Sequence, residues 1–307
     1  MAEITVVGGI NIDIEGSPFE KLKYHDSNPG RIHMAFGGVG RNISENAARL
    51  GGDVAMVSVI GDDQMGQAAK AELASLGVDT SCIRTLEGRN SAMYLSILGD
   101  RNDMELALCD MDIIEAITPD YLEDHKELIG KSGIIALDGN LTEELLCCAV
   151  DMFKGIPIFF DPVSGSKAVK AKSCLGGLES IKPNIIEAEI LTGIAIDGDE
   201  DIRKAADRLL EKGLKRVFIT LNKDGVYYRD EESEGFIRPA ENLKIVSATG
   251  AGDSFSAAIL LGGVQGRSTE ETAHMGMAAA SIAMESSRAV SRNMNMEELF
   301  RRITENV

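Results

Sequence analysis

Positive charge is scarce in this chain. Lys and Arg number 31 against 49 Asp and Glu, a formal net charge of −18, and no basic run is longer than the pair Arg301-Arg302. Nucleic-acid binding and adhesion to anionic membranes both rest on clustered positive charge, so neither is expected. The five cysteines (Cys82, Cys109, Cys147, Cys148 and Cys174) are odd in number and form no C-x-x-C, which argues against a disulfide framework and suits reduced thiols. Four scattered histidines without an H-E-x-x-H leave no zinc site to propose. No apolar run reaches membrane-spanning length, and MAEITVVGG enters a strand without the charged and cleavable segments of a secretion signal. A cytoplasmic protein is expected.

Several chemical motifs are missing as well. Gly130-Lys131-Ser132 resembles the end of a phosphate-binding P-loop, but the position five before Gly130 is His125 and the segment before it reads as a helix. Gly250-Ala251-Gly252 would need a third glycine at Phe255 to match a dinucleotide fingerprint. No serine sits in a G-x-S-x-G elbow, so hydrolase chemistry lacks a nucleophile. No internal repeat, low-complexity tract or linker divides the 307 residues.

What is present is an alternation of short buried strands and helices. Ile4 to Val7 is a continuous β-branched run closed by Gly8-Gly9, the pattern of a strand buried on both faces of a parallel sheet. Val54 to Ile60, Gly133 to Leu137, Pro157 to Phe160 and Arg216 to Leu221 read alike. Helices are expected at Ile43 to Leu50, Gln64 to Leu76, Pro119 to Ile129, Glu143 to Phe153, Lys182 to Leu191 and Arg203 to Lys212, with three more after residue 250. Two stretches break the alternation. Residues 15–36 read as a loop and a strand off the main sheet, and 91–98 with 103–109 as a hairpin turned by Gly99-Asp100-Arg101-Asn102. The expectation is a single three-layer α/β/α domain over 1–307, with a small β-sheet lid built from about 11–36 and 90–110. Pairing of lid strands between subunits would make a homodimer.

The stretch Val246 to Ala257 organises the rest. Its Gly250-Ala251-Gly252-Asp253 turn opens an apolar helix, so backbone N–H groups converge there as they do in an anion site. A carboxylate beside such a cradle repels phosphate, and Asp253 is better suited to taking a proton from a hydroxyl that attacks one. A plain helix cap explains the same residues. Strand after strand ends in a carboxylate or amide: Asn11 and Asp13, Asp138 and Asn140, Asp161. That marks a ligand crevice along one sheet edge, or a set of turns and caps. Gly37-Gly38-Val39-Gly40-Arg41-Asn42 brings backbone close to a ligand or opens a helix. Asn184 and Glu187, three apart, form either a capping box or an oxygen patch for hydrated Mg²⁺.

Gly37-Gly38-x-x-x-Asn42, Asn184-x-x-Glu187 and Ala248-Thr249-Gly250-Ala251-Gly252-Asp253, in this order and spacing, resemble the ribokinase-like (PfkB) carbohydrate and nucleoside kinases over nearly the whole chain. The resemblance implies transfer of the ATP γ-phosphoryl group to a primary hydroxyl. It makes Asp253 the base and gives Gly250, Ala251 and Gly252 the anion hole. Asn184 and Glu187 would then hold the magnesium water shell, while Thr220, Asn222 and Gly225, with Asn184, Gly250 and Gly252, line the nucleotide site. Asn11, Asp13, Gly38, Val39 and Asn42 bind the acceptor. Within the family, Ser27-Asn28-Pro29-Gly30 and Val39, where a ribose-specific member would carry Lys, are most similar to the members that phosphorylate pseudouridine at its 5′-hydroxyl. Another nucleoside, ribose or fructose is the alternative acceptor. Met34, Phe36, Met93 and Tyr94 are expected either to offer a planar base apolar surface or to form lid core. The family's late motif usually opens with Asp, associated with a monovalent-cation site, and Ser247 stands there, so the resemblance leaves a monovalent cation undecided.

Overall fold

A computed structural model describes residues 2–99, 103–240 and 243–305. Its strands, in chain order, are β1 (Ile4–Val7), β2 (Asn11–Pro18), β3 (Gly30–Gly37), β4 (Val54–Gly61), β5 (Ile83–Leu86), β6 (Ala92–Leu98) and β7 (Met104–Asp110). There follow β8 (Ile134–Asp138), β9 (Ile158–Asp161), β10 (Ser180–Ile181), β11 (Arg216–Thr220), β12 (Val226–Arg229) and β13 (Glu234–Ile237). Nine of them form one sheet in the order β13-β12-β11-β10-β9-β8-β1-β4-β5; β3-β2-β6-β7 form a second.

In the large sheet the strands from β5 to β11 run parallel, and β12 and β13 close one end antiparallel. The central strands β1, β4, β8 and β9 are buried along their whole length, as their unbroken apolar runs require. Alternate residues feed two cores: Val7, Val57 and Leu137 on one face, Val6, Met56 and Ala136 on the other. Helices cover both faces, so the three-layer architecture expected from the sequence is the one observed. Among the described residues no helix is long and apolar enough to cross a membrane.

Several boundaries move. The helix after the glycine-rich turn runs Val39–Arg49 and so includes Asn42, where the sequence suggested a start at Ile43. The segment expected as one helix from Pro119 is two, Pro119–Asp124 and Lys126–Ile129, interrupted at His125. The Arg203 helix begins a turn earlier, at Asp199. Strands β5, β10 and β13 were not expected. Of the anticipated turn between β6 and β7, Asp100, Arg101 and Asn102 lie outside the described residues.

The chain leaves β1 for the small sheet within three residues, Gly8-Gly9-Ile10, so Asn11 and Asp13 lie on β2 instead of in a loop. The small sheet's pleat divides its residues cleanly. Asp13 sits between Ala35 and Tyr94 on one face; Met34, Ile14, Leu95 and Leu108 form a row on the other, and Ile32, Gly16, Ile97 and Leu106 a second row beside it. That second face is open to solvent, with Ile32 78%, Met34 52%, Leu106 58% and Leu108 62% exposed.

Candidate active site

The carboxyl ends of β1, β8, β9, β10 and β11 meet the first turns of three helices, Val39–Arg49, Ile185–Thr192 and Ala251–Val264. Asp138, wholly buried at the end of β8, ties two of these parts together. Its Oδ2 accepts from the N–H groups of Gly9 and Gly40, each at 2.9 Å, and its Oδ1 from Asn140 N–H at 2.8 Å. The approach is close enough that a Cβ on Gly8 would stand 2.3 Å from Asp138 Oδ2 and one on Gly40 2.8 Å from Gly8 Cα. Of its two sequence readings, ligand contact or cap, the observed bonding is structural: Asp138 braces the turn carrying Gly38.

Gly250 caps the helix Ala251–Val264 with φ 78°, and no side chain caps it. Ala251 N–H donates to Ala248 O and Ser254 N–H to Gly250 O, but among the described residues nothing accepts from the N–H groups of Gly252 or Asp253. Of the amides expected to make the anion hole, that of Ala251 is therefore spent inside the turn, while those of Gly252 and Asp253 stand bare at the positive end of a 14-residue helix, where an anion is favoured. Ser247 Oγ accepts from Thr249 N–H and shapes the turn before it.

The Asp253 carboxylate faces across this cradle to the helix Val39–Arg49. Asn42 Nδ2 donates to its Oδ2 at 2.8 Å, and Arg41, itself buried, donates through Nη1 to Asn42 Oδ1 at 3.0 Å, which fixes the orientation of the amide. Burial, reinforced by the nearby Asp161 carboxylate, pushes the Asp253 carboxyl up to about 7, against the lowering effects of Asn42 and Lys182. A group with that pKa loses and regains a proton near neutral pH, as a general base must.

Asn42 also borders a cavity of about 210 Å³. Asn11, Asp13, Gly38 and Val39 line it with Asn42, so all five expected acceptor residues come together there. Asn11 Nδ2 donates to Asp13 Oδ1 at 2.6 Å, and burial holds the Asp13 carboxyl above its ordinary range. Its opposite wall holds Asn140, one of the strand-end amides expected at the crevice, and four residues the sequence does not single out: Met111, Ile114 and Val163 supply apolar surface, and Lys167 Nζ donates to Asn140 Oδ1 at 2.6 Å. Val163 holds φ 68°, an uncommon conformation for a β-branched residue, and its N–H donates to Asp161 Oδ1. Of the four apolar lid residues considered for a base, only Tyr94 lines the cavity. Met34 and Phe36 point to the opposite face with Met93, because the pleat puts neighbours on opposite sides.

Asn184 and Glu187 form the complete capping box. Asn184 Oδ1 accepts from Glu187 N–H, while Glu187 Oε2 accepts from Asn184 N–H and its Oε1 from Asn184 Nδ2, all within 2.9 Å. Burial raises the Glu187 carboxyl above its usual range. Asn184 bridges to Thr220 as an isolated parallel pair, and Asn222 and Gly225 follow on the tight turn after β11, both with positive φ. Asn184, Thr220, Asn222 and Gly225 are therefore neighbours, and the other two residues expected on the nucleotide side, Gly250 and Gly252, lie at the start of the helix Ala251–Val264.

The whole of this arrangement sits inside a recognisable frame. Residues 1–295 match the model of the pfkB family carbohydrate kinases. The pseudouridine kinase of Escherichia coli (strain K12) is 38% identical over 281 residues, covering 92% of this chain and 90% of that one. An uncharacterised sugar kinase of the same organism is 37% identical over 279 residues, 91% of this chain and 77% of the other. The structure of Arabidopsis thaliana ribokinase complexed with ribose and ATP superposes with a TM-score of 0.85 at 22% identity, over 98% of each chain, and shares the fold. With its family motif residues assembled at one sheet edge, the chain belongs to the pfkB family of carbohydrate kinases, phosphotransferases that act on an alcohol group of a small sugar or nucleoside.

Proposed function

We propose that the protein phosphorylates the 5′-hydroxyl of pseudouridine with ATP, giving pseudouridine 5′-phosphate and ADP. The observation that carries the chemistry is the Asp253 carboxyl, pushed up to about 7, joined by Asn42 to the cavity on one side and flanked by two unpaired amides on the other. Asp253 takes the proton of the 5′-hydroxyl. The new bond forms between that oxygen and the γ-phosphorus, the bond from γ-phosphorus to the β–γ bridging oxygen breaks, and the electron pair leaves on ADP. The N–H groups of Gly252 and Asp253 meet charge on the phosphoryl oxygens as it passes. Asp13 accepts from the ribose hydroxyls beside Asn11, with Gly38 and Val39 packed against the sugar; Thr220, Asn222 and Gly225 flank the nucleotide.

Glu187 suits a magnesium ion held through water. Each of its oxygens accepts one hydrogen bond from Asn184 and keeps a further lone pair, and Mg²⁺ retains most of its waters when bound. Among the described residues no cluster of three metal-ligating side chains offers a direct cage. When bound with ATP the ion supplies positive charge to the phosphates.

The choice of pseudouridine is supported by the 38% identity to the E. coli enzyme and by the apolar wall of Tyr94, Met111 and Ile114, a surface a planar base uses and a free pentose does not. ADP release coupled to a reporter reaction, measured across pseudouridine, uridine, adenosine, ribose and fructose, is the test. Pseudouridine is expected to exceed every other acceptor at least ~10-fold in kcat/KM, the ratio that decides discrimination. A sugar turned over faster would reject the nucleoside reading and leave the kinase one.

The exposed face of the lid favours a homodimer in which two copies cover the rows of Ile32, Met34, Leu106 and Leu108. An apolar face of this kind is best covered by its own symmetry mate, which matches row to row. The expected contact is this face, rather than the strand edges that the sequence suggested. Light scattering should give twice 32.9 kDa for the native chain, and Leu106→Glu with Leu108→Glu should give the monomer. A monomeric native protein at micromolar concentration rejects the dimer.

A further inference from the structure

Lys182 follows β10, between the carboxylates of the sheet edge and the cradle. It is 6% exposed. Its Nζ lies 3.3 Å from Asp161 Oδ2, the one ion pair it makes among the described residues, and 3.5 Å from where a Cβ on Gly252 would stand. An ammonium has three N–H groups to place. Asp161 occupies one direction, and no hydrogen-bond acceptor is found for the others among the described residues. Asp161 is itself fixed: Ser256 Oγ donates to its Oδ2 at 2.6 Å and Val163 N–H to its Oδ1 at 3.0 Å. The lysine is thus anchored on a carboxylate held by two further hydrogen bonds, with its remaining donors on the side of Gly252 at the cradle.

The charge balance points the same way. Asp138, Asp161 and Glu187 are buried at this edge beside the partly buried Asp253, and the arriving nucleotide adds several more negative charges there. A fixed cation there weakens that repulsion most where the charge is shifting, on the transferring group. Lysine suits the task as a compact point charge with donors free to swing.

Resting on the kinase reading of this site, we propose that Lys182 is a catalytic residue of the phosphoryl transfer, its ammonium held by Asp161 and donating to a non-bridging oxygen of the γ-phosphoryl group as it passes to the acceptor. Lys182 has a second part in this arrangement. By neutralising Asp161 it keeps that carboxylate from acting at full strength on Asp253.

The test uses the full chain as wild type, Lys182→Met and Lys182→Arg. It measures kcat and KM with the best acceptor of the panel, the Kd for ADP, and the Kd for ADP with aluminium fluoride, a planar anion that mimics the moving phosphoryl group. Lys182→Met is expected to lose about 10²–10³-fold in kcat, the usual effect of removing one preorganised donor from such a site. Its acceptor KM and ADP Kd should stay within about threefold, and its preference for ADP–aluminium fluoride over ADP should disappear, since uniform binding is untouched. Lys182→Arg should recover at least part of both losses. A Met variant with kcat within about threefold of wild type overturns the proposal, as does one that loses ADP and ADP–aluminium fluoride equally, the mark of a buried structural pair. Should Lys182→Met fail to fold because Asp161 is left unpaired, Lys182→Met with Asp161→Asn removes the orphaned charge. Wild-type-like preference for the fluoride complex in that double variant would then be the overturning result, and loss of it the supporting one. Wild-type ADP release separates the two levels: its absence with every acceptor removes the kinase reading itself, whereas a working wild type with an unimpaired Lys182→Met overturns this proposal alone.

Discussion

Asp253→Asn is expected to lower kcat by about 10²–10⁴-fold, the span that a positioned general base contributes, while ADP still binds. The substitution keeps the size and the hydrogen bond from Asn42 and removes only the ability to take a proton. In the wild type, kcat/KM, which reports the free enzyme, should rise with pH through about 7 and level off above it, because only the ionised carboxyl can accept. In the Asn variant that rise should vanish. Stability should move in the opposite direction. The carboxyl is held far above the ordinary carboxylate value of 3.8, so the folded chain prefers it protonated, and this contribution to stability, intact at low pH, is lost as pH rises through about 7. Asn, neutral at every pH, should therefore melt higher than wild type at pH 8 and about level with it at pH 4. A kcat within tenfold of wild type, or a variant no more stable than the parent at pH 8, contradicts the assignment of Asp253 as a strained, functional acid.

Which parts of this site could be read from the residues alone follows from the range of the forces involved. The cradle was legible because its features are local: two glycines, an acid and an apolar helix are contiguous from Gly250 onward, and their backbone conformation follows from their own sequence. The capping box at Asn184 and Glu187 was legible for the same reason. The central strands announced themselves as unbroken apolar runs. Strand β10, with only Ser180 and Ile181, and β5 at the sheet edge carry no such run and exist because neighbouring strands pair with them. The first turn of the helix Asp199–Glu211 is Asp199-Glu200-Asp201, well placed against the helix dipole yet without the apolar period that begins at Ile202. Side-chain direction in the lid was hidden for another reason. Met93 and Tyr94 are both apolar enough for either face, and only pairing with Asp13 decides that Tyr94 looks inward. Lys167 and Lys182 carry no local signal as site residues, because each meets its partner more than 20 residues away.

The second large effect is expected at Gly250, and the comparison that isolates it is with Gly51. Both glycines have positive φ, 78° and 83°. Alanine at either position strains the backbone by about 1 kcal/mol. At Gly51 nothing stands within 4 Å of the added carbon, so Gly51→Ala should lower Tm slightly and leave kcat alone. At Gly250 the carbon would lie 1.8 Å from Ala289 O and 2.6 Å from Ala289 C, both backbone atoms that cannot swing aside. Relief requires the first turn of the helix Ala251–Val264 to move by an ångström or more, carrying with it the Gly252 and Asp253 amides and the Asp253 carboxylate. Misplacement on that scale costs about 10²-fold in rate. Gly250→Ala is therefore expected to lose about two orders of magnitude in kcat that Gly51→Ala keeps, although circular dichroism shows both folded. Because the displaced groups act on the moving phosphoryl group, the loss should fall on kcat before acceptor KM. If the two variants turn over alike, the helix start does not need the position it has, and neither the bare amides nor the carboxylate beside them is doing the chemistry assigned to this edge of the sheet.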